Sequence, residues 1–122
     1  MRRFDFSYGA AMRWLLTVTG MPPRFTYAEV APEMVRVRAG LWFRLDIPRE
    51  RIVVAERNGK RYLSRGVHGW RGRWLVNASA DGLVRIAIEP RVGGWLLFWP
   101  LRVREVIVSL RDPDGFLDEL HG

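Results

Sequence analysis

Short runs of alternating apolar and polar residues, each ended by turn residues, are the feature of this sequence that most constrains its fold. The clearest run is Leu41–Ile47, in which every second residue is apolar until Pro48 ends the pattern. A period of two is typical of a β-strand that buries one face. We therefore expect Leu41, Phe43 and the other apolar residues of this run to lie together in a core.

Comparable runs predict further strands along most of the chain. They cover residues 25–30, 34–38, 52–57, 60–64, 73–79, 83–88 and 103–110. The dipeptides Asn58-Gly59 and Asp81-Gly82 favour two-residue hairpin turns, because both residues of such turns need a positive φ. They predict that 52–57 pairs with 60–64 and that 73–79 pairs with 83–88.

Helical patterns occur only towards the two ends of the sequence. Asp112-Pro113-Asp114 supplies a cap, a proline suited to the first helical position and an acidic first turn, so a helix is predicted over residues 113–121. Its apolar residues Phe116, Leu117 and Leu120 form one stripe. Residues 10–18 favour a short helix. The chain is expected to be a single domain, 1–122, in which an N-terminal extension, 1–21, precedes the β-rich part at 22–122.

Composition excludes several classes of function. The 122 residues include no cysteine, so disulfides, cysteine zinc sites and thiol nucleophiles are excluded. We find no catalytic motif and no metal-ligand spacing around either histidine, and we expect a protein that is not an enzyme and uses no metal or cofactor. No apolar run reaches the roughly 18 residues of a membrane span, and no secretory signal is evident. A cytoplasmic protein is expected.

The amino-acid sequences of two segments resemble those of a known family. Residues 37–48, VRAGLWFRLDIP, and 108–117, VSLRDPDGFL, are similar to the strand pair and the last strand and helix of bacterial pleckstrin-homology-like domains of actinobacterial type. The resemblance implies a mainly β fold, an antiparallel barrel or bent sheet of six to seven strands with a C-terminal α-helix. It implies non-catalytic binding rather than one shared ligand. The short, acidic loop at 31–33 departs from the basic loop with which eukaryotic members bind phosphoinositides.

The segment 65–74 is the first candidate binding site, because it combines glycines, tryptophans and cationic side chains. Its candidate ligand-binding residues are Arg65, His68, Trp70, Arg71 and Arg73. They could hold a phosphate or a nucleic-acid backbone. The alternative is structural: a glycine-bent strand and loop at a barrel corner, with Trp70 and Trp74 packing inward.

The segment 93–101 and the arginines after it form the second candidate. Its interaction or membrane residues are Trp95, Leu97, Phe98, Trp99, Arg102 and Arg104. If they are exposed, the apolar side chains could enter a lipid surface while the arginines contact phosphates. If they are buried, the segment is a barrel strand or a patch covered by the N-terminal helix or by a second subunit.

The formal net charge of +7 invites three binding functions. Protein–protein interaction as a scaffold module, with an unknown partner or by self-association, is the favoured hypothesis. The alternative is peripheral binding to an anionic membrane surface, at the inner face of the membrane. Nucleic-acid binding is a lesser alternative, because 19 of the 20 basic residues are arginines dispersed over predicted strands rather than gathered in a basic tail.

Overall fold

The computed structural model describes residues 2–8, 16–18, 20–58, 66–77 and 81–121, and for 66–68 and 70 it describes the backbone. Over these residues the chain is mainly β, with a sheet curled into a half-barrel and a C-terminal helix, which confirms the predicted fold class. The strands are β1 Arg2–Asp5, β2 Thr26–Val30, β3 Met34–Ala39, β4 Phe43–Pro48, β5 Ile52–Arg57, β6 Gly66–Trp70, β7 Arg73–Asn77, β8 Leu83–Leu96 and β9 Trp99–Ser109; the helix α1 is Pro113–His121. Single 3-10 turns cover Pro23–Phe25 and Arg49–Arg51, and residues 16–18 are helical.

The described strands form one sheet in the order β1-β2-β3-β4-β8-β9-β7-β6, and β5 also pairs with β8. All neighbours are antiparallel except β7 and β9, whose pairing is parallel. Parallel neighbours need a crossover rather than a tight turn. The strand β7 therefore pairs with one edge of β9, and β8 pairs with the opposite edge.

The long strand β8 bends the sheet. Its first half, around Ile86, pairs with β5, and its last three residues pair with β4. The register between β8 and β9 shifts between Ala87 and Val92, and the Glu89–Pro90 peptide bond is cis. Because the two halves of β8 have different neighbours on the same edge, β4 and β5 diverge around the bend and the sheet curls.

The core lies on the concave face of this sheet. Alternation along β4 buries Phe43, Leu45 and Ile47, as predicted. The helix α1 contributes Phe116 and Leu120, which are also buried. The helix is further tied to the sheet by Arg49, whose guanidinium donates hydrogen bonds to the carbonyls of Ala31 and Leu120.

Two predictions about the strands need correction. Residues 73–79 and 83–88 do not form a hairpin: β7 pairs with β6 and β9, and β9 separates it from β8. Leu41 does not lie in the core, because β4 begins at Phe43 and Leu41 is in the preceding turn with 71% of its surface exposed. Near the N-terminus, β1 pairs with β2, so residues 2–5 belong to the same sheet.

Two other predictions fall on residues outside the described ranges. The hairpin around Asn58-Gly59 requires residues 60–64, which lie outside them; the described partner of β5 is β8. The N-terminal helix over 10–18 is described only at 16–18, where the chain is helical.

The start of α1 gives a first testable prediction. Asp112 caps the helix, because its carboxylate accepts a hydrogen bond of 3.0 Å from the backbone N–H of Gly115. We expect Asp112→Ala to lower the free energy of unfolding by about 1 kcal/mol, measured by urea denaturation. Asp118→Ala, an exposed aspartate inside the same helix, is the matched control. Equal stability of the two variants would contradict the capping role.

Candidate functional site

Exposed apolar side chains gather in three segments of the described chain. Of its ten large exposed apolar residues, eight belong to residues 16–25, 40–42 and 95–99, and only Val53 and Val54 lie elsewhere. The eight are Val18, Phe25, Leu41, Trp42, Trp95, Leu97, Phe98 and Trp99. Phe98 is the most exposed, at 87%, and lies in the turn between β8 and β9. Contiguous apolar exposure of this kind is unusual for a surface that faces only water.

Backbone hydrogen bonds hold the three segments together. The N–H of Leu97 donates to the carbonyl of Trp42 at 2.8 Å, and the N–H of Leu41 donates to the carbonyl of Gly20 at 2.9 Å. Gly40, whose φ is +54°, donates to the carbonyl of Phe25 at 2.9 Å. The three segments therefore meet at one end of the half-barrel. We call the eight exposed side chains in these segments the apolar end.

A groove of about 620 Å³ opens beside the apolar end. It is lined by the apolar residues Val18, Phe25 and Leu41 and by Arg38 and Arg44. Arg38 and Arg44 are cross-strand neighbours, and the next residue of the same row is Trp95. Apolar side chains and guanidinium groups thus lie side by side on the convex face of the sheet.

The charge of this region has one sign. Residues 16–25, 38–44 and 91–104 contain no aspartate or glutamate, whereas they contain six arginines. Arg38 is paired, because its guanidinium lies 2.8 Å from the Asp46 carboxylate. Among the described residues, Arg24, Arg44 and Arg102 have no carboxylate partner. The apolar end is therefore bordered by unneutralised cations.

The segment 93–101, the second candidate site, is described throughout. It forms the tip of the β8–β9 hairpin, where Trp99 pairs with Leu96 and Pro100 pairs with Trp95. Trp95, Leu97, Phe98 and Trp99 are all exposed. The predicted cover by the N-terminal helix falls on residues that lie mostly outside the described ranges. Arg102, three residues beyond Trp99, is exposed too. Arg104 lies instead in a second concavity.

This second concavity lies at the bend of β8 and has a volume of about 490 Å³. We call it the arginine hollow. Four arginines line it, from β7, β8, the bend and β9: Arg73, Arg85, Arg91 and Arg104. Two carboxylates, of Glu89 and Glu105, line it as well. The hollow therefore carries an excess of positive charge.

Glu105 is already engaged by two of these arginines. The Arg85 guanidinium donates to its carboxylate and also lies 3.1 Å from Glu56. The hydrogen bond that Arg85 donates to Glu105, opposed in part by desolvation, raises the pKa of Arg85 above its ordinary value, and Arg85 remains charged at every physiological pH. The Arg73 guanidinium lies 3.4 Å from the same carboxylate.

The structure brings together part of the first candidate segment. Arg65 lies outside the described residues, and the backbones of His68 and Trp70 pair with those of Leu75 and Arg73. Arg71 and Gly72 form a two-residue turn with φ of +51° and +84°. The Gly72 carbonyl accepts a hydrogen bond of 2.8 Å from the N–H of Arg104, which places this turn against β9. Arg73 and Arg104, predicted in two separate sites, thus line one hollow.

The structural reading of the first segment is supported at one position. The glycine at 69 lies over the ring of Trp74, so close that a Cβ there would be 2.3 Å from the ring. Trp74 is partly buried and packs against Phe43, with ring centroids 5.9 Å apart. The predicted inward packing is therefore present for Trp74.

Sequence reasoning missed several members of both sites. Leu41 was assigned to the core, while Phe25, Trp42, Arg85 and Arg91 were not singled out. One available signal was the absence of acidic residues from 91–104, a count that needs no structure. The meeting of distant segments had no local signal, because it depends on the strand order.

Comparison with known protein families, curated proteins and solved structures finds no match to this chain. The resemblance to pleckstrin-homology-like domains therefore stays a prediction. Within the described ranges, no three His, Cys, Asp or Glu side chains are placed to hold a metal ion. None of the described helices has the length and apolar character needed to cross a bilayer.

Proposed function

We propose that this protein is a peripheral binding module that attaches to anionic membrane surfaces through the apolar end. One observation carries the proposal: exposed aromatic and aliphatic side chains from three segments meet at one end, bordered by arginines that have no carboxylate partner within the described part of the chain. Interfacial binding combines burial of apolar area with attraction of cations to acidic lipids. Both parts are supplied by the same end of the molecule.

The hairpin tip has the shape and composition of an inserting element. Phe98 and Leu97 occupy the turn itself, while Trp95 and Trp99 follow on the adjoining strand ends. Tryptophan favours the membrane interface because its ring is apolar and its N–H is polar. Moving a side chain of this size out of water contributes about 1.5–3 kcal/mol. Phe98 and Trp99 together would then supply much of the affinity.

The arginines favour a lipid surface over a protein partner. Arg102 lies three residues from Trp99, which is about 10 Å along an extended strand and places it behind the tip. Arg44 lines the neighbouring groove, and the Arg24 guanidinium lies 5.5 Å from the centre of the ring of Phe25, which also lines it. A fluid, negatively charged surface accommodates a protruding apolar turn and dispersed cations without a matched partner shape. A protein partner would need an acidic rim around an apolar pocket.

Vesicle sedimentation tests this proposal on the intact chain. We expect the protein to pellet with vesicles that contain phosphatidylserine and much less with phosphatidylcholine vesicles. Binding should weaken as salt rises, because attraction between exposed charges is screened within about 8 Å at physiological ionic strength. Equal absence from both pellets at low salt would overturn the proposal.

Self-association and nucleic-acid binding stay predictions that the same samples address. A dimer by light scattering, together with no vesicle binding, would instead assign the apolar end to a second copy. A shift of labelled DNA that is lost steeply as salt rises, together with no vesicle binding, would assign the arginines to a nucleic acid. The membrane proposal expects a monomer in solution that binds anionic vesicles.

A further inference from the structure

We propose that the arginine hollow binds a phosphate group, at a site separate from the apolar end. The hollow brings Arg73, Arg91 and Arg104 to one concavity of about 490 Å³. A guanidinium is planar and offers several N–H donors in a fixed fork, which matches the oxygens of phosphate. The ligand class is therefore a phosphate dianion, free or carried as a monoester.

One hydrogen-bond donor of the hollow has no acceptor among the described residues. The Nε of Arg104 is buried and has no hydrogen-bond partner in the structure. Buried donors without a partner are rare in folded proteins, because such a group loses its water without compensation. Arg104, which lines the hollow, therefore has a guanidinium whose Nε is not engaged by another group of the described chain.

A second arginine in the hollow is also without a carboxylate. Among the described residues, no ion pair joins the Arg91 guanidinium to an acidic side chain. Its Nη1 lies 3.3 Å from the place where a Cβ would stand on Gly72. The glycine at the β6–β7 turn thus leaves room for Arg91 beside Arg104. A larger residue at 72 would compete for that space.

The acidic residues of the hollow neutralise part of the positive charge of its arginines, but not all of it. Glu105 is shared by Arg85 and Arg73, so its carboxylate neutralises charge on the side of the hollow nearest those two residues. Glu89 is exposed at the bend. The remaining excess lies with Arg91 and Arg104, which we infer to be the principal phosphate contacts.

The site is distinct from the membrane surface proposed above. Arg91 precedes Leu97 by six residues, a distance of about 20 Å along the strand. When the hairpin lies perpendicular to the bilayer plane, a lipid headgroup that contacts its inserted tip would not reach the hollow. A soluble phosphate monoester is the source that this geometry favours.

Isothermal titration of the vesicle-free protein with inorganic phosphate and with glycerol 3-phosphate tests the site. We expect saturable binding of one equivalent by the wild-type chain. Arg91→Gln and Arg104→Gln should each weaken it by about tenfold, which is the loss of one charge-assisted hydrogen bond. Arg36→Gln removes an exposed arginine of β3 outside the hollow and should leave the affinity unchanged.

Three outcomes distinguish the alternatives. Absence of saturable binding in the wild-type chain, or equal affinity of wild type and both hollow variants, would overturn the proposal. Loss of binding in Arg104→Gln counts only if its urea midpoint matches the wild type, and the exposed Arg91→Gln supplies an independent variant if it does not. If both variants also lose binding to phosphatidic acid vesicles, the phosphate source is a lipid headgroup; retained vesicle binding assigns it to a soluble ligand.

Discussion

The double variant Phe98→Ser, Trp99→Ser is expected to bind anionic vesicles at least about a hundredfold more weakly than the wild type. Each lost side chain removes about 1.5–3 kcal/mol of transfer free energy, and every 1.4 kcal/mol is tenfold in affinity. The two side chains are 87% and 70% exposed, so their replacement leaves the core intact. Quantitative sedimentation over a range of lipid concentrations measures the change.

A matched control separates insertion from general hydrophobicity. Val53 is 59% exposed on β5, which pairs with the first half of β8, away from the hairpin tip. We expect Val53→Ser to bind vesicles like the wild type. If the double variant binds as tightly as the wild type, or if Val53→Ser loses as much, the apolar end is not the attachment site.

Phe116→Ala is expected to cause the largest loss of stability among the substitutions considered. Phe116 is fully buried, and its ring meets the ring of Phe4 edge-on, with centroids 5.4 Å apart. Truncation removes the contact between α1 and β1 and leaves a cavity, at a cost of about 3–5 kcal/mol. Domains of this size have about 5–15 kcal/mol in total, so the variant should be close to unfolding.

Urea denaturation compares this variant with Phe98→Ala. The same change of side chain at the exposed position should alter the free energy of unfolding by no more than about 0.5 kcal/mol. A midpoint shift of equal size in both variants would contradict the assignment of Phe116 to the core and Phe98 to the surface.

Local patterns predicted the parts of the fold that local physics determines. Alternation placed Phe43 in the core, and the Asp112-Pro113 pair marked the start of α1. The pairing of strands was less accessible. Asp81-Gly82 is a good hairpin sequence, yet the strand that follows it, β8, pairs with β9 instead of β7. The Gly82 carbonyl accordingly accepts a hydrogen bond of 2.8 Å from the N–H of Leu110.

The candidate sites, like the fold, depend on features that local sequence does not determine. Exposure of Trp99 could not be read from its sequence neighbours, because an apolar run is compatible with a buried strand and with an exposed hairpin tip. The meeting of Arg73 and Arg104 follows from the parallel pairing of β7 with β9, and sequence period carries no information about such pairing. The strand order is therefore what turned two separate segments into one hollow.

The most direct test of the central claim measures the depth of the hairpin tip in a bilayer. The chain contains no cysteine, so Phe98→Cys and Val53→Cys each provide one unique position for a nitroxide label. With phosphatidylserine vesicles, we expect the label at position 98 to become accessible to dissolved oxygen and protected from a water-soluble nickel complex. The label at position 53 should remain accessible to the nickel complex. If the label at position 98 also stays in water while the protein is bound, the apolar end does not insert.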